Sequence, residues 1–166
     1  NGTRRDAFTP WTKTITRSPN SYRAHCNLGN IYIERGLIER AYMEYQTALR
    51  INPNDPNVHS NLGNVYSKKG LIDKAFEEYN AAIRLDRNYA QPHNNLGNIY
   101  FNQSSLDKAR MEYEEALRIK PDYALAHNGL GNIYNRMGDL DKAMEEYRKS
   151  LYSKTLFITI AGTSPL

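Results

Sequence analysis

The chain has 166 residues, 22 Lys+Arg against 18 Asp+Glu, a net charge of +4, one cysteine and 40% hydrophobic residues. That length fits one domain, and that apolar share supports a buried core and excludes wholesale disorder. The lone cysteine excludes an internal disulfide framework or multi-cysteine metal site, the interspersed charges argue against nucleic acid as a partner, and the longest apolar stretch, Leu156 to Ala161, is far too short to cross a membrane. The first residue is Asn1, not Met, so the chain reads as a piece of a longer protein. A missing signal peptide therefore leaves the compartment unknown.

A repeat organises everything else. Asn27-Leu28-Gly29-Asn30-Ile31-Tyr32 returns as Asn61-Leu62-Gly63-Asn64-Val65-Tyr66, as Asn95-Leu96-Gly97-Asn98-Ile99-Tyr100 and as Gly129-Leu130-Gly131-Asn132-Ile133-Tyr134, each time after 34 residues. Ala41, Ala75, Ala109 and Ala143 keep the same step, and so do Tyr45, Tyr79, Tyr113 and Tyr147. All four histidines share one phase: His25, His59, His93 and His127.

In chain order, residues 1–21 come first. Ala7, Trp11, Ile15 and Pro19 stand one step ahead of Ala41, Tyr45, Leu49 and Pro53, so this segment reads as the second helix of a truncated repeat. Thr9-Pro10 opens that helix as N-cap and first helical residue. Four full repeats follow, over 22–55, 56–89, 90–123 and 124–157. Each reads as two helices. His25, Leu28, Gly29 and Tyr32 fall on one helical face, as do Ala41, Tyr45, Ala48 and Leu49 in the second helix. Asn20, Asn54, Asn88 and Asp122 are the expected N-caps of the first helices. Pro19, Pro53 and Pro121 stop the helices before them. Gly36 is the expected left-handed end of the first helix, and Glu39, Asp73, Asp107 and Asp141 place a carboxylate at the positive start of the second. A mid-helix glycine costs about 0.5–1 kcal/mol, so Gly29 and its counterparts imply close approach, with the small Ala41 series as the expected facing surface. The final stretch, 158–166, is read as a non-repeat apolar tail. Leu156 to Ala161 either folds back over the last helix or docks on another molecule.

This pattern of aromatic, Leu-Gly, Tyr, Ala, aromatic and Pro resembles the tetratricopeptide repeat from Tyr22 to about Phe157. The resemblance implies an all-α, right-handed α-solenoid of antiparallel helix pairs whose first helices line a concave face. Departures are few. His stands at the usual Trp or Tyr position, Ser104 replaces the turn glycine of the third repeat and predicts a looser turn, and Arg87 and Thr155 replace Pro.

No catalytic constellation is present, so the chain reads as a non-enzyme without cofactor. Histidines one repeat apart are about 10 Å or more apart by helix diameter, whereas zinc ligands converge within about 2 Å of one ion. Core packing is their expected role, and no metal is expected. Cys26 reads as an inert thiol. Glu77-Glu78, Glu114-Glu115 and Glu145-Glu146 read as solvated helix faces. Asn1-Gly2-Thr3 and Asn102-Gln103-Ser104 match the N-glycosylation acceptor pattern, which carries little weight without a known compartment.

The asparagines stand out, because Asn is a mediocre helix former. Asn27, Asn61 and Asn95 share one phase; Asn30, Asn64, Asn98 and Asn132 share another. One reading makes them bridges between neighbouring helices. The other makes them a ladder, since each amide offers donor and acceptor to a peptide backbone. The first series is similar to the asparagine ladder in the repeats of O-linked N-acetylglucosamine transferases; Gly129 breaks it in the fourth repeat. Asn94, Asn128 and Phe101 complete the candidate groove. A carboxylate clamp is not matched, because Cys26, Ser60, Asn94 and Asn128 stand where that clamp has its first-repeat Lys, and Asn95 and Gly129 where it has Arg.

The sequence thus predicts a protein-interaction scaffold that takes a protein or peptide ligand, with no nucleic acid and no membrane insertion of its own. One alternative is the substrate-recruiting region of a larger glycosyltransferase. It follows from the O-linked N-acetylglucosamine transferase likeness and from a leader similar to the junction after membrane mannosyltransferase-like domains. Another is a self-associating module, a homo-oligomer through the uncapped C-terminal end.

Overall fold

The computed structural model describes residues 20–162, with side chains described as far as Ser153. Among the described residues the structure is helical throughout: α1 (Tyr22–Glu34), α2 (Ile38–Ile51), α3 (Pro56–Lys68), α4 (Ile72–Leu85), α5 (Ala90–Asn102), α6 (Leu106–Ile119), α7 (Ala124–Met137) and α8 (Leu140–Gly162). The fold class is the all-α helix-pair repeat of the α-solenoids. The chain divides into two compact halves, residues 1–86 and 87–166. In the first, α1 packs on α2, α2 on α3 and α3 on α4; in the second, α5 packs on α6, α6 on α7 and α7 on α8, and α5 also touches α7. The Trp11 helix expected in the leader lies outside the described residues. Helix α8 runs through the apolar stretch Leu156 to Ala161 and ends at Gly162.

The interior of each pair is built on one contact. The rings of Tyr45, Tyr79, Tyr113 and Tyr147 pack against Gly29, Gly63, Gly97 and Gly131, so close that an added Cβ would fall 2.5 or 2.6 Å from a ring atom. The sequence led to small alanines as the surface facing these glycines; the partner is a tyrosine ring. A side chain of that size supplies more buried apolar area than any alanine, and only a residue without Cβ admits it. Tyr45, Tyr79 and Tyr113 are buried, and Ala41, Ala48, Ala75, Ala82, Ala109 and Ala116 are fully buried beside them.

The turns inside each pair follow glycine chemistry, with one exception. Gly36, Gly70 and Gly138 take φ of 71°, 74° and 81°, and Ser104 takes 58°. The Ser104 turn is not looser. Ser104 N donates to Phe101 O at 3.0 Å and Ser105 N to Tyr100 O at 2.9 Å, matching Gly70 N to Ser67 O at 3.0 Å and Leu71 N to Tyr66 O at 2.9 Å. What changes is cost, since a left-handed non-glycine residue loses about 1–2 kcal/mol.

The N-caps fall one residue later than the sequence suggested, at Ser21, Asp55, Tyr89 and Tyr123 rather than Asn20, Asn54, Asn88 and Asp122. Among these four only Asp55 caps with its side chain, accepting from Asn57 N at 2.7 Å and Val58 N at 3.2 Å. Pro56 explains the shift there, because its fixed φ suits the first helical position and leaves Asp55 as cap. The other carboxylate oxygen of Asp55 accepts from the Tyr22 hydroxyl, joining the starts of α1 and α3.

The histidines do more than fill space. Nδ1 of His25, His59, His93 and His127 meets a carboxylate of the paired second helix, at Glu44, Glu78, Glu112 and Glu146, over 2.6 to 2.8 Å. Glu78 and Glu146 are therefore half-buried partners, not the solvated faces expected of their acidic runs. His59 Nε2 also reaches Pro53 O, and His127 Nε2 reaches Pro121 O, each at 2.9 Å. A carbonyl only accepts, so Nε2 of each ring is the donor in that contact. The Glu78 hydrogen bond holds the His59 pKa above its usual 6.5, outweighing burial, with help from Pro53 O and from the charges of Glu78 and Asp55.

Two outcomes follow. Gly63→Ala puts a methyl into the Tyr79 ring. Overpacking of about 1–3 kcal/mol outweighs the gain in helix propensity of about 1 kcal/mol, so Tm should fall by roughly 4 °C; a rise would remove the ring contact as the reason for glycine. For His59, a raised folded pKa gives stability that is complete below the unfolded value and is lost as pH rises through the folded one. The Tm gap between wild type and His59→Ala should therefore be larger at about pH 5.5 than at about pH 9, by an amount worth about 1 kcal/mol. A gap independent of pH would mean the pair carries no charge.

Candidate peptide-binding face

The two asparagine series sit on the first helices α1, α3, α5 and α7 and differ in what holds them. In the second series the tyrosine that fills the glycine notch ends on the asparagine one residue further along the helix. Tyr45, Tyr79, Tyr113 and Tyr147 donate their hydroxyls to Oδ1 of Asn30, Asn64, Asn98 and Asn132 over 2.7, 2.7, 2.7 and 2.8 Å. Burial pushes the Tyr113 hydroxyl up to about 12 and raises Tyr45 and Tyr79 as well, so these groups remain protonated donors. Each Oδ1 is turned toward the helix pair, and the amide's other end is Nδ2. Asn30 and Asn98 remain exposed; Asn64 and Asn132 are half-buried.

In the first series Asn27, Asn61 and Asn95 are all half-buried. Asn61 Nδ2 donates to Asn30 Oδ1 at 3.2 Å, which joins α3 to α1 and leaves Asn61 Oδ1 as its acceptor. At Gly129, where this series breaks, a tyrosine ring fills the space beside the backbone. The Tyr113 ring lies between Gly97 and Gly129, and a Cβ at 129 would stand 2.5 Å from it.

The remaining candidates separate. Asn128 is exposed. Asn94 is buried, 2% exposed, so it does not face solvent as the sequence suggested. Phe101 is half-buried, and Arg136 covers it: the guanidinium lies 5.5 Å from the ring centroid, and it donates to Ser104 Oγ at 2.9 Å. The expected apolar spot is thus a stacked cation and ring. Burial pushes the Cys26 thiol up to about 11, opposed in part by its backbone hydrogen bond, which leaves it a poor nucleophile. Among the described residues no group of His, Cys, Asp and Glu is placed to hold a metal ion, and no helix is long and apolar enough to cross a membrane.

Two roles escaped the sequence reading: the tyrosine hydroxyls on the second asparagine series and the glutamates on the histidines. Glu44, Glu78, Glu112 and Glu146 recur at the 34-residue step, 19 residues after each histidine. That periodicity was the available signal.

Two family models match the chain. The first, described as TPR repeat, matches residues 29–70, 68–104 and 97–138, and the second, described as tetratricopeptide repeat, matches 124–154. No curated protein sequence matches. Among solved structures, MamA is similar at 24% identity and TM-score 0.72, covering 92% of this chain and 89% of that one. PilF of Pseudomonas aeruginosa is 28% identical with TM-score 0.72, covering 80% of this chain and 60% of that one. YrrB, described as a TPR protein with an unusual peptide-binding site, is 21% identical with TM-score 0.63, covering 89% of this chain and 76% of that one. Repeated helix pairs, a glycine notch filled by tyrosine and family matches over more than half of its length agree, and the chain belongs to the tetratricopeptide repeat family.

Proposed function

We propose that the chain is a non-enzymatic interaction scaffold whose first helices hold an extended peptide or a partner's helix through asparagine side chains, one repeat at a time over 22–55, 56–89, 90–123 and 124–157. The observation that carries this reading is the exposure of Asn30 and Asn98 after each has given its Oδ1 to a buried tyrosine. An amide pinned at one end and open at the other is pre-organised, which lowers the ordering cost of binding. Asn27 and Asn61 on α1 and α3 of the first half, and Asn95 on α5 of the second, add further amides to the reading. The peptide-binding site in the description of YrrB is in keeping with this reading. Likeness of the first series to the ladder of O-linked N-acetylglucosamine transferases also favours substrate recruitment within a larger glycosyltransferase.

One observation favours self-association as a second reading. Leu117 packs against the core beneath α7, whereas its counterpart one repeat later, Leu151, is 64% exposed. Leu140, Met144 and Tyr152 are exposed on the same helix. A second copy covering α8 would bury them.

The ladder is tested by titrating a peptide library against wild type and the Asn27/Asn61/Asn95→Ala variant. Three lost backbone contacts at about 0.5–1.5 kcal/mol each should weaken binding by roughly tenfold or more. Equal affinities in a variant of unchanged Tm would remove the ladder.

A further inference from the structure

We propose that Asn102 is an acceptor for N-linked glycosylation, a modification separate from the peptide-binding reading. Asn102-Gln103-Ser104 has the acceptor spacing with no proline between. Asn102 is the last residue of α5, and all three residues are exposed at the turn into α6. The repeat supplies an internal comparison. The same three positions read Glu34-Arg35-Gly36, Lys68-Lys69-Gly70 and Arg136-Met137-Gly138 in the other repeats. The first position differs in every repeat; the third repeat departs from the rest by an asparagine there and, alone among the four, by a serine in place of the closing glycine, the two residues an acceptor site needs.

The second departure works against the fold. Ser104 holds φ of 58° where Gly36, Gly70 and Gly138 take the same left-handed turn without strain. Residues kept against a local backbone preference concentrate where function requires them. Glycine at 104 would ease the turn and abolish the acceptor. Ser104 Oγ accepts from Arg136 at 2.9 Å, and its own hydrogen still serves for recognition. An exposed helix end also lets a bulky glycan project into solvent without displacing any packed side chain.

The transfer is balanced. Asn102 Nδ2 attacks the anomeric carbon of an oligosaccharide carried on a polyprenyl pyrophosphate. The N–C bond forms, the carbon–oxygen bond to pyrophosphate breaks, the pyrophosphate leaves with the electron pair, and a transferase base takes the amide proton. The proposal places this turn on the lumenal or outer side of a membrane during synthesis.

The test is expression of the chain behind a cleavable secretory leader in cultured animal cells, with peptide N-glycosidase treatment in heavy-oxygen water and peptide mapping. Mapping separates Asn102 from Asn1. The expected result is a glycan at Asn102, replaced by a labelled aspartate after treatment. Asn102→Gln and Ser104→Gly lose it, and Ser104→Thr keeps it. Ser104→Gly should have a Tm equal to or above that of the unglycosylated wild type. A secreted, folded chain with bare Asn102 overturns the proposal. So does a marked loss of Tm in Ser104→Gly, because the serine would then be kept for its bond to Arg136. Translation in the presence of microsomes gives the same readout for any variant that is not secreted.

Discussion

The contact between a glycine notch and a tyrosine ring sets the geometry of each helix pair. An ordinary side chain at Gly29, Gly63, Gly97 or Gly131 would hold the two helices apart by the thickness of a methyl group. Without it, the ring of Tyr45, Tyr79, Tyr113 or Tyr147 fills the gap at van der Waals distance. Protein interiors are packed as densely as organic crystals, so a methyl group cannot be absorbed by small adjustments. The polar tip of each ring also needs a partner once buried. It finds one on the same helix that carries the glycine, at the asparagine one residue later. A single side chain therefore fixes both the spacing of the pair and the sliding of one helix along the other.

The ionic contacts act at the edge of this interior. Each histidine reaches the second helix of its pair through a glutamate, and His59 and His127 reach the preceding loop through a proline carbonyl. Where Arg87 replaces proline, His93 still meets Glu112 at 2.8 Å. The glutamate contact thus does not depend on the proline. These pairs are more sheltered than Lys142 with Asp139 or Arg118 with Glu115, which lie at the surface and contribute little. Burying a charged pair repays its desolvation only when further hydrogen bonds are made. The carbonyl at Nε2 supplies one to His59 and to His127.

Most of the fold is legible in the sequence because the repeat prints it four times. The helix faces, the glycine turns and the acidic starts of the second helices all follow from local periodicity. Pairwise identities across a helix pair were harder to read. Gly29 and Tyr45 are each conspicuous alone, but nothing in one-dimensional spacing says that they touch, and Ala41 is an equally plausible neighbour by size. The caps differ by one residue because Asn20, Asn54, Asn88 and Asp122 have the right chemistry, whereas the backbone turns one position later. Of the candidate face, the phases of the asparagines were evident, but their bonding was not. The same residue type serves as a tyrosine acceptor at Asn30 and as a donor to that asparagine at Asn61. Position relative to the ring decides which, and that is a property of the packed pair.

That division of labour bears on what a bound peptide would meet. Asn30 has spent its oxygen on the Tyr45 hydroxyl and the Asn61 amide, so it can offer only N–H donors. Asn61 has spent an N–H on Asn30 and keeps its oxygen as acceptor. Within the first half, adjacent repeats therefore present a donor-rich and an acceptor-rich amide side by side. An extended backbone alternates carbonyl and N–H along its length, and such a pair matches one of each. A peptide carbonyl would seek Asn30 and a peptide N–H would seek Asn61, which sets a direction for the bound chain. A symmetric row of free amides sets none, because each can rotate to suit either polarity. On the proposed reading, the tyrosines that hold the fold together also orient the ligand, by deciding which end of each asparagine is left for it.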